Sequence, residues 1–287
     1  MRFSLILVLA TAALPAAAQV PLVLTDIPPV NALVAQVMGS LGTPVQLLER
    51  GADEHDLHLR PSQVRALNAA QLLVWVGPEL TPGLESVVQS APAALRSLAL
   101  LDDPATRRRS FADGAGTDPH AWLDPDNARL WLGAIARALA ASDPANAAIY
   151  AANAENAETE LAALDTELRE KLAPVAQKPF VTFHDAYGFF AVHYGLAYAG
   201  SLAAGDATLS GAARLAALTD QIAAGGAVCV FPEAQHDSDL IAQLATGGTA
   251  RLGAALDPSG STLAPGPGGY AALMAGLATA LAECLGQ

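Results

Sequence analysis

Residues 20–48 read VPLVLTDIPPVNALVAQVMGSLGTPVQLL. Val20 to Thr25 is an apolar, β-branched run, which reads as a buried strand, and Asp26-Ile27-Pro28-Pro29 reads as the loop that ends it. Asn31 to Leu41 carries apolar residues at helical spacing and stops at Gly42, so a helix is expected. Pro44 to Leu48 is a second strand. Beyond it, Pro61-Ser62 opens another helix, because proline suits a first turn. Leu72 to Val76 is a β-rich run closed by Gly77-Pro78. Strand, helix and strand alternate, and the economical architecture is α/β with a parallel sheet.

From Asp126 to about Ala173 alanine, leucine and glutamate dominate, and only Asp143-Pro144 interrupts them. Ala145 to Leu172 is expected as a single helix, about 42 Å long at roughly 1.5 Å per residue. That length suits a rigid backbone between two lobes; an ordinary two-helix hairpin is the simpler alternative. Strand-like runs then return. Pro179 to Phe183 ends at His184, Ala227 to Phe231 ends at Pro232-Glu233, and Arg251 to Leu256 leads to Asp257. Open α/β sheets place their binding crevices just beyond strand carboxyl ends. The expected layout is an N-terminal α/β lobe over 19–140, a linking helix over 141–175 and a C-terminal α/β lobe over 176–287. Gly260 to Gly269 reads as a surface loop, and no repeat of fixed period is visible.

The first residues, 1–18, read as an export leader. Arg2 is followed by an apolar run from Leu5 to Leu14 and by Ala16-Ala17-Ala18, a small-residue cleavage site near Ala18. The run is too short to span a bilayer, and no cysteine follows the cleavage site to carry a lipid. A soluble protein in the periplasm is expected, without direct membrane insertion. The formal net charge is -13 before the leader and its single arginine are lost. So acidic a chain repels nucleic acid and anionic membranes. The one basic run, Arg107-Arg108-Arg109, reads as a solvated loop. Cys229 and Cys284 are the only cysteines, and in an exported protein a disulfide is the default reading.

Four potential metal ligands occupy distinctive local contexts. His55 lies in GADEHDLHLRPS, His120 in TDPHAWLDPDN, His184 in FVTFHDAYGFF and Asp257 in LGAALDPSG. Three imidazoles and a carboxylate form a ligand set that a closed tetrahedral zinc site requires. The gaps of 65, 64 and 73 residues mean that only the folded chain can assemble them, in a cleft. If the segment around His55 is extended, His58 points away from His55 and into solvent, while Glu54 can still swing in as a carboxylate ligand. Asp124 is a good N-cap for the helix that follows His120, and Asp118 or Asp124 can accept the second ring N–H of His120. His193 reads as packing, His236 as exposed, and Glu233 as a residue that can hydrogen-bond a ligand imidazole.

With these stretches in view, the chain resembles the zinc-uptake substrate-binding proteins of bacterial ABC transporters, the ZnuA family. The resemblance runs through TDIPPVNALVAQVMG, GADEHDLHLRPSQVRALNAAQLLVWVGPELTPGLE, DPHAWLDPDNARL, FVTFHDAYGFFAVHYGL, CVFPEAQ and LDPSG. It implies two α/β lobes joined by one long helix, with Zn²⁺ held between them and delivered to an ABC transporter permease. It also implies ligand roles for His55, His120, His184 and Asp257, a contributing role for Glu54 as in some relatives, and a Cys229–Cys284 disulfide as in part of the family. A metallochaperone as a further partner, and a monomer, belong to the same picture. Two departures stand out: Leu101 to Asp118 lacks the histidine-rich loop of many relatives, and FPEAQHD around Glu233 has an altered order.

Manganese-selective relatives carry a glutamate at the third position, where this chain has His184. Three imidazoles with one carboxylate suit zinc, whereas oxygen-rich sites suit manganese. The competing reading is an exported zinc hydrolase with three histidine ligands, which needs an open coordination position and a general base. The sequence offers no HExxH helix to supply one. A surface adhesin that uses metal only structurally is a third class.

Overall fold

The structure is a computed structural model that describes residues 20–287 apart from 112–113, 115, 206, 209–210 and 247–248. The export leader and its cleavage site therefore lie outside the described residues. Two four-stranded parallel sheets form the two lobes. The first contains β1 (Val23–Thr25), β2 (Val45–Gln46), β3 (Leu72–Trp75) and β4 (Arg96–Ala99), in the order β2-β1-β3-β4. The second contains β5 (Phe180–His184), β6 (Tyr198–Ala203), β7 (Cys229–Phe231) and β8 (Arg251–Leu252), in the order β6-β5-β7-β8. The two orders are equivalent, a likeness between the halves that the sequence does not display as a repeat.

Each sheet is covered on both faces, which is why its central strands are continuously apolar rather than alternating. Alternation survives in where the side chains go. Val23, Leu72 and Val74 point to the core that the two lobes share, while Leu24, Leu73 and Trp75 point to a separate outer core. That outer core lies under α2 (Pro61–Ala69) and α3 (Pro82–Ser90). In the second sheet Phe180, Cys229 and Phe231 face the shared core. Val181, Phe183 and Val230 face outward, with Leu218 of α7 (Ala212–Ala223) and Ile241 of α8 (Asp239–Thr246).

The shared core is built by four helices, α1 (Pro28–Met38), α4 (Pro125–Ser142), α5 (Ala147–Leu172) and α9 (Gly269–Leu285). With α6 (Gly188–Tyr194) they bury Leu33, Trp131, Tyr150, Leu161, Phe190, Met274 and Leu281 in one continuous cluster. The long helix therefore runs between the lobes as a packed spine. It starts two residues later than expected, because Pro144–Asn146 forms a 3-10 turn first. α1 starts earlier than expected: Pro28 and Pro29 occupy the first turn, where a missing N–H costs nothing. The C-terminal lobe is tied back across the cleft. Trp122 Nε1–H donates to the Pro258 carbonyl at 2.8 Å, and Tyr270 O–H donates to the Trp122 carbonyl at 2.8 Å. The Cys229–Cys284 disulfide fastens β7 to α9. No helix among the described residues is long and apolar enough to cross a membrane.

Candidate metal centre

The second sheet changes winding direction between β5 and β7, and a crevice opens at that point beyond the strand ends. His184 is the last residue of β5, 1% exposed. Glu233 lies just past β7, held by a bridge to Leu256. From the other lobe comes His120, fully buried in the turn that leads into α4. Glu54 and His55 arrive on a third segment. There Asp53 Oδ1 accepts the His55 backbone N–H at 2.8 Å, and the Asp56 N–H bonds the Asp53 carbonyl at 3.3 Å. This turn breaks the extended alternation, so Glu54 and His55 reach the same place.

One ligand atom from each of Glu54, His55, His120 and His184 lies within 4.8 Å of the others. His120 Nε2 is 3.3 Å from His55 Nε2 and 3.3 Å from His184 Nε2. Four nitrogen or oxygen ligands at roughly 2.0–2.1 Å from a tetrahedral ion stand about 3.3 Å apart. The imidazoles are thus already spaced as edges of one coordination tetrahedron.

Behind the ligand atoms lies a ring of orienting carboxylates. Asp118 Oδ1 accepts both the His120 ring Nδ1–H at 2.8 Å and the His120 backbone N–H at 3.0 Å. That leaves the His120 Nε2 lone pair directed at the cluster. Arg109 donates to Asp118 Oδ2 at 2.7 Å and lies over the Phe189 ring. Arg107 and Arg108 pair with Asp126 and Glu79 while remaining exposed to solvent, so the basic run is a solvated, ion-paired loop, as expected. Glu233 Oε2 takes the His184 Nδ1–H at 2.5 Å, and its Oε1 accepts the Tyr187 O–H at 2.8 Å. Replacing Asp118 by Asn should leave the fold intact and weaken metal binding about 10–100-fold, the usual cost of losing a partner behind a ligand. Chelator competition on Asp118→Asn checks this; an unchanged affinity would mean that Asp118 only packs.

Electrostatics divides the histidines. Burial, His184 and Arg109 hold the His120 ring well below its usual pKa, so it is neutral and ready to ligate. For His184 burial acts downward, but Glu233 and Glu54 outweigh it and raise the ring to about 9. Burial raises the Glu54 carboxyl to about 7. Without metal, His184 thus carries a proton at neutral pH, and an incoming cation must expel it.

The carboxylate expected from Asp257 does not join this group. Asp257 Oδ1 accepts from Gln235 Nε2 at 2.6 Å and from the Ser261 N–H at 3.0 Å. Its Oδ2 accepts the Thr262 N–H at 2.9 Å and the Thr262 O–H at 2.6 Å. Four donors occupy both oxygens, and the side chain closes its own loop through Ser261 and Thr262. Glu54, 2% exposed, stands where Asp257 was expected. His58 is exposed and pairs with Asp56. His193 is wedged between Asp124 and Asp165, and Asp124 also caps α4 through the Asp126 N–H at 2.9 Å. His236 is not exposed as expected: it stacks on Phe183 beside the cluster, a placement that the polar QHDSD context hides.

Residues 23–284 match the family described as zinc-uptake complex component A, periplasmic. A high-affinity zinc uptake system protein ZnuA of Paracoccus denitrificans is 51% identical, with 97% of this chain and 96% of that protein covered. Among solved structures, a zinc-bound ZnuA carrying a deletion of its residues 138–173 superposes with a TM-score of 0.81 at 24% identity, covering 92% of this chain and 97% of that one. The periplasmic zinc-binding protein TroA of Treponema pallidum superposes with a TM-score of 0.82 at 21% identity, covering 92% and 99%.

Proposed function

The chain belongs to the ZnuA family of periplasmic zinc-uptake components, and from that premise we propose that its cleft captures one Zn²⁺ through Glu54, His55, His120 and His184. The family is a metal-binding part of a transport system, not an enzyme. The observation that carries the ligand assignment is Glu54 Oε1, which is buried without a hydrogen-bond partner. An unpartnered buried carboxylate oxygen is costly, and here the carboxylate sits among three imidazole nitrogens. A divalent cation removes that cost and uses all four groups.

Three imidazoles and one carboxylate favour zinc over harder ions. Glu54 fills the fourth position, which a hydrolytic zinc would keep for water. This argues against the hydrolase reading. The proposal extends to cleavage of the leader near Ala18, action as a monomer and release of the ion to a membrane permease of the ABC type. Loading by a metallochaperone is compatible with the partly exposed rim of the cleft.

Calorimetry on stripped protein tests the reading. One Zn²⁺ should bind per chain, and a reproducible stoichiometry of two would contradict it. Zinc should also expel protons, because His184 is protonated below about 9 and Glu54 below about 7. Apparent affinity therefore rises with pH up to about 9 and falls most steeply below about 7. Titrations in buffers of different ionisation enthalpy count the protons; an affinity that is flat between about pH 5 and pH 7.5, across the ordinary range of imidazole titration, would refute this chemistry.

A further inference from the structure

An ion bound by these four groups is enclosed, since His120, His184 and Glu54 are at most 2% exposed. It must enter and leave past less buried side chains. Taking the cluster as the zinc site, we propose that His236 and Asp53 form a transit position for the ion at the rim of the cleft, one step outside the buried ligands. The His236 ring stacks on Phe183 with centroids 4.4 Å apart and planes at 15°, so its orientation is fixed. That orientation puts His236 Nε2 3.7 Å from Asp53 Oδ2 and 3.7 Å from Glu233 Oε2.

These separations are too long for hydrogen bonds. They are close to the spacing of two ligands around a shared cation, slightly wider than the tight tetrahedron of the buried cluster. His184, Glu233 and His236 each offer a ligand atom within 4.8 Å of the others, and the His184 and His236 ring centroids are 6.1 Å apart. The side chains of His236 and Asp53 are 17% and 25% exposed, against 1% for His184. Exposure thus falls from the rim inward along a path lined by nitrogen and carboxylate oxygen. Asp53 is anchored to the primary site as well, through its bond to the His55 N–H.

An ion held here by His236 and Asp53, with water completing its shell, trades those ligands for the buried set in a short step. Because the position lies on the path and not at its end, it changes rates rather than affinity. Capture and release share one barrier, and their ratio fixes the equilibrium constant.

His236→Phe keeps the stack on Phe183 and removes both ring nitrogens. Asp53→Asn keeps an oxygen for the His55 N–H and removes the charge. In stopped-flow experiments on the full mature chain, with Zn²⁺ for capture and excess chelator for release, His236→Phe should slow the two rates by the same factor, and Asp53→Asn should slow capture. For His236→Phe, equilibrium affinity and a stoichiometry of one should be unchanged; Asp53→Asn is read through its capture rate alone, because Asp53 also sets the turn that carries Glu54 and His55. Wild-type rates in both variants would overturn the proposal. So would a weakened affinity with faster release in His236→Phe, which would place that ring in the final site. If the wild-type chain itself takes up no zinc, the underlying reading of the site fails instead.

Discussion

Replacing His184 by alanine should all but abolish high-affinity zinc binding, while His58→Ala leaves it unchanged. His184 supplies a nitrogen 3.3 Å from His120 Nε2, and its loss removes an edge of the tetrahedron. The deficit should exceed the roughly 10–100-fold expected at positions behind the ligands. It also leaves Glu233 without its imidazole partner, although the Tyr187 O–H still satisfies one oxygen, so the variant should fold. His58 is solvent-exposed and pairs with Asp56, away from the cluster. Competition titrations against a graded series of chelators, beside melting curves of the metal-free proteins, separate binding from folding. Equal losses in the two variants would show that the cluster is not the binding site.

The second large effect is on stability. Breaking the Cys229–Cys284 bond should destabilise the metal-free protein by roughly 4 kcal/mol, the chain-entropy value for a loop of this size. The two cysteines are separated by 55 positions, and the bond joins a central strand of the second sheet to the helix that closes the shared core. Zinc affinity should change little, since neither cysteine belongs to the ligand cluster. Denaturant unfolding of Cys284→Ser, and of the native chain with and without reductant, measures the loss. An unchanged midpoint would mean that packing of α9 alone holds it in place.

Much of this architecture is legible in the chain because buried parallel strands are continuous apolar runs. β1, β3, β5 and β7 are of that kind, and they position the crevice. β4 and β6 escape the same reading: β4 opens with Arg96 and Ser97, both exposed, and β6 contains Gly200 and Ser201 among alanines. They lie outside the central pair of each sheet, where one side of the strand needs less apolar cover. The three histidines stand out through their local contexts, and they converge in the fold. The carboxylate does not follow from the same logic. Alternation along an extended segment separates Glu54 from His55, and only the turn set by Asp53 reunites them. Asp257 stands apart from the cluster in this structure, bonded to Gln235 twenty-two positions earlier, a pairing that nothing in LDPSG reveals. His236 is hidden for a related reason, since its stacking partner Phe183 belongs to a distant strand.

The central claim is that Glu54, His55, His120 and His184 together hold one zinc ion between the lobes. Diffraction from crystals of the zinc-loaded protein, collected on both sides of the zinc absorption edge, tests it most directly. The expected result is a single anomalous peak, with three imidazole Nε2 atoms and a Glu54 oxygen at roughly 2.0–2.2 Å, while Asp257 keeps its bonds to Gln235 and Thr262. A peak coordinated by Asp257 in place of Glu54, or an ion outside this cluster, would contradict it.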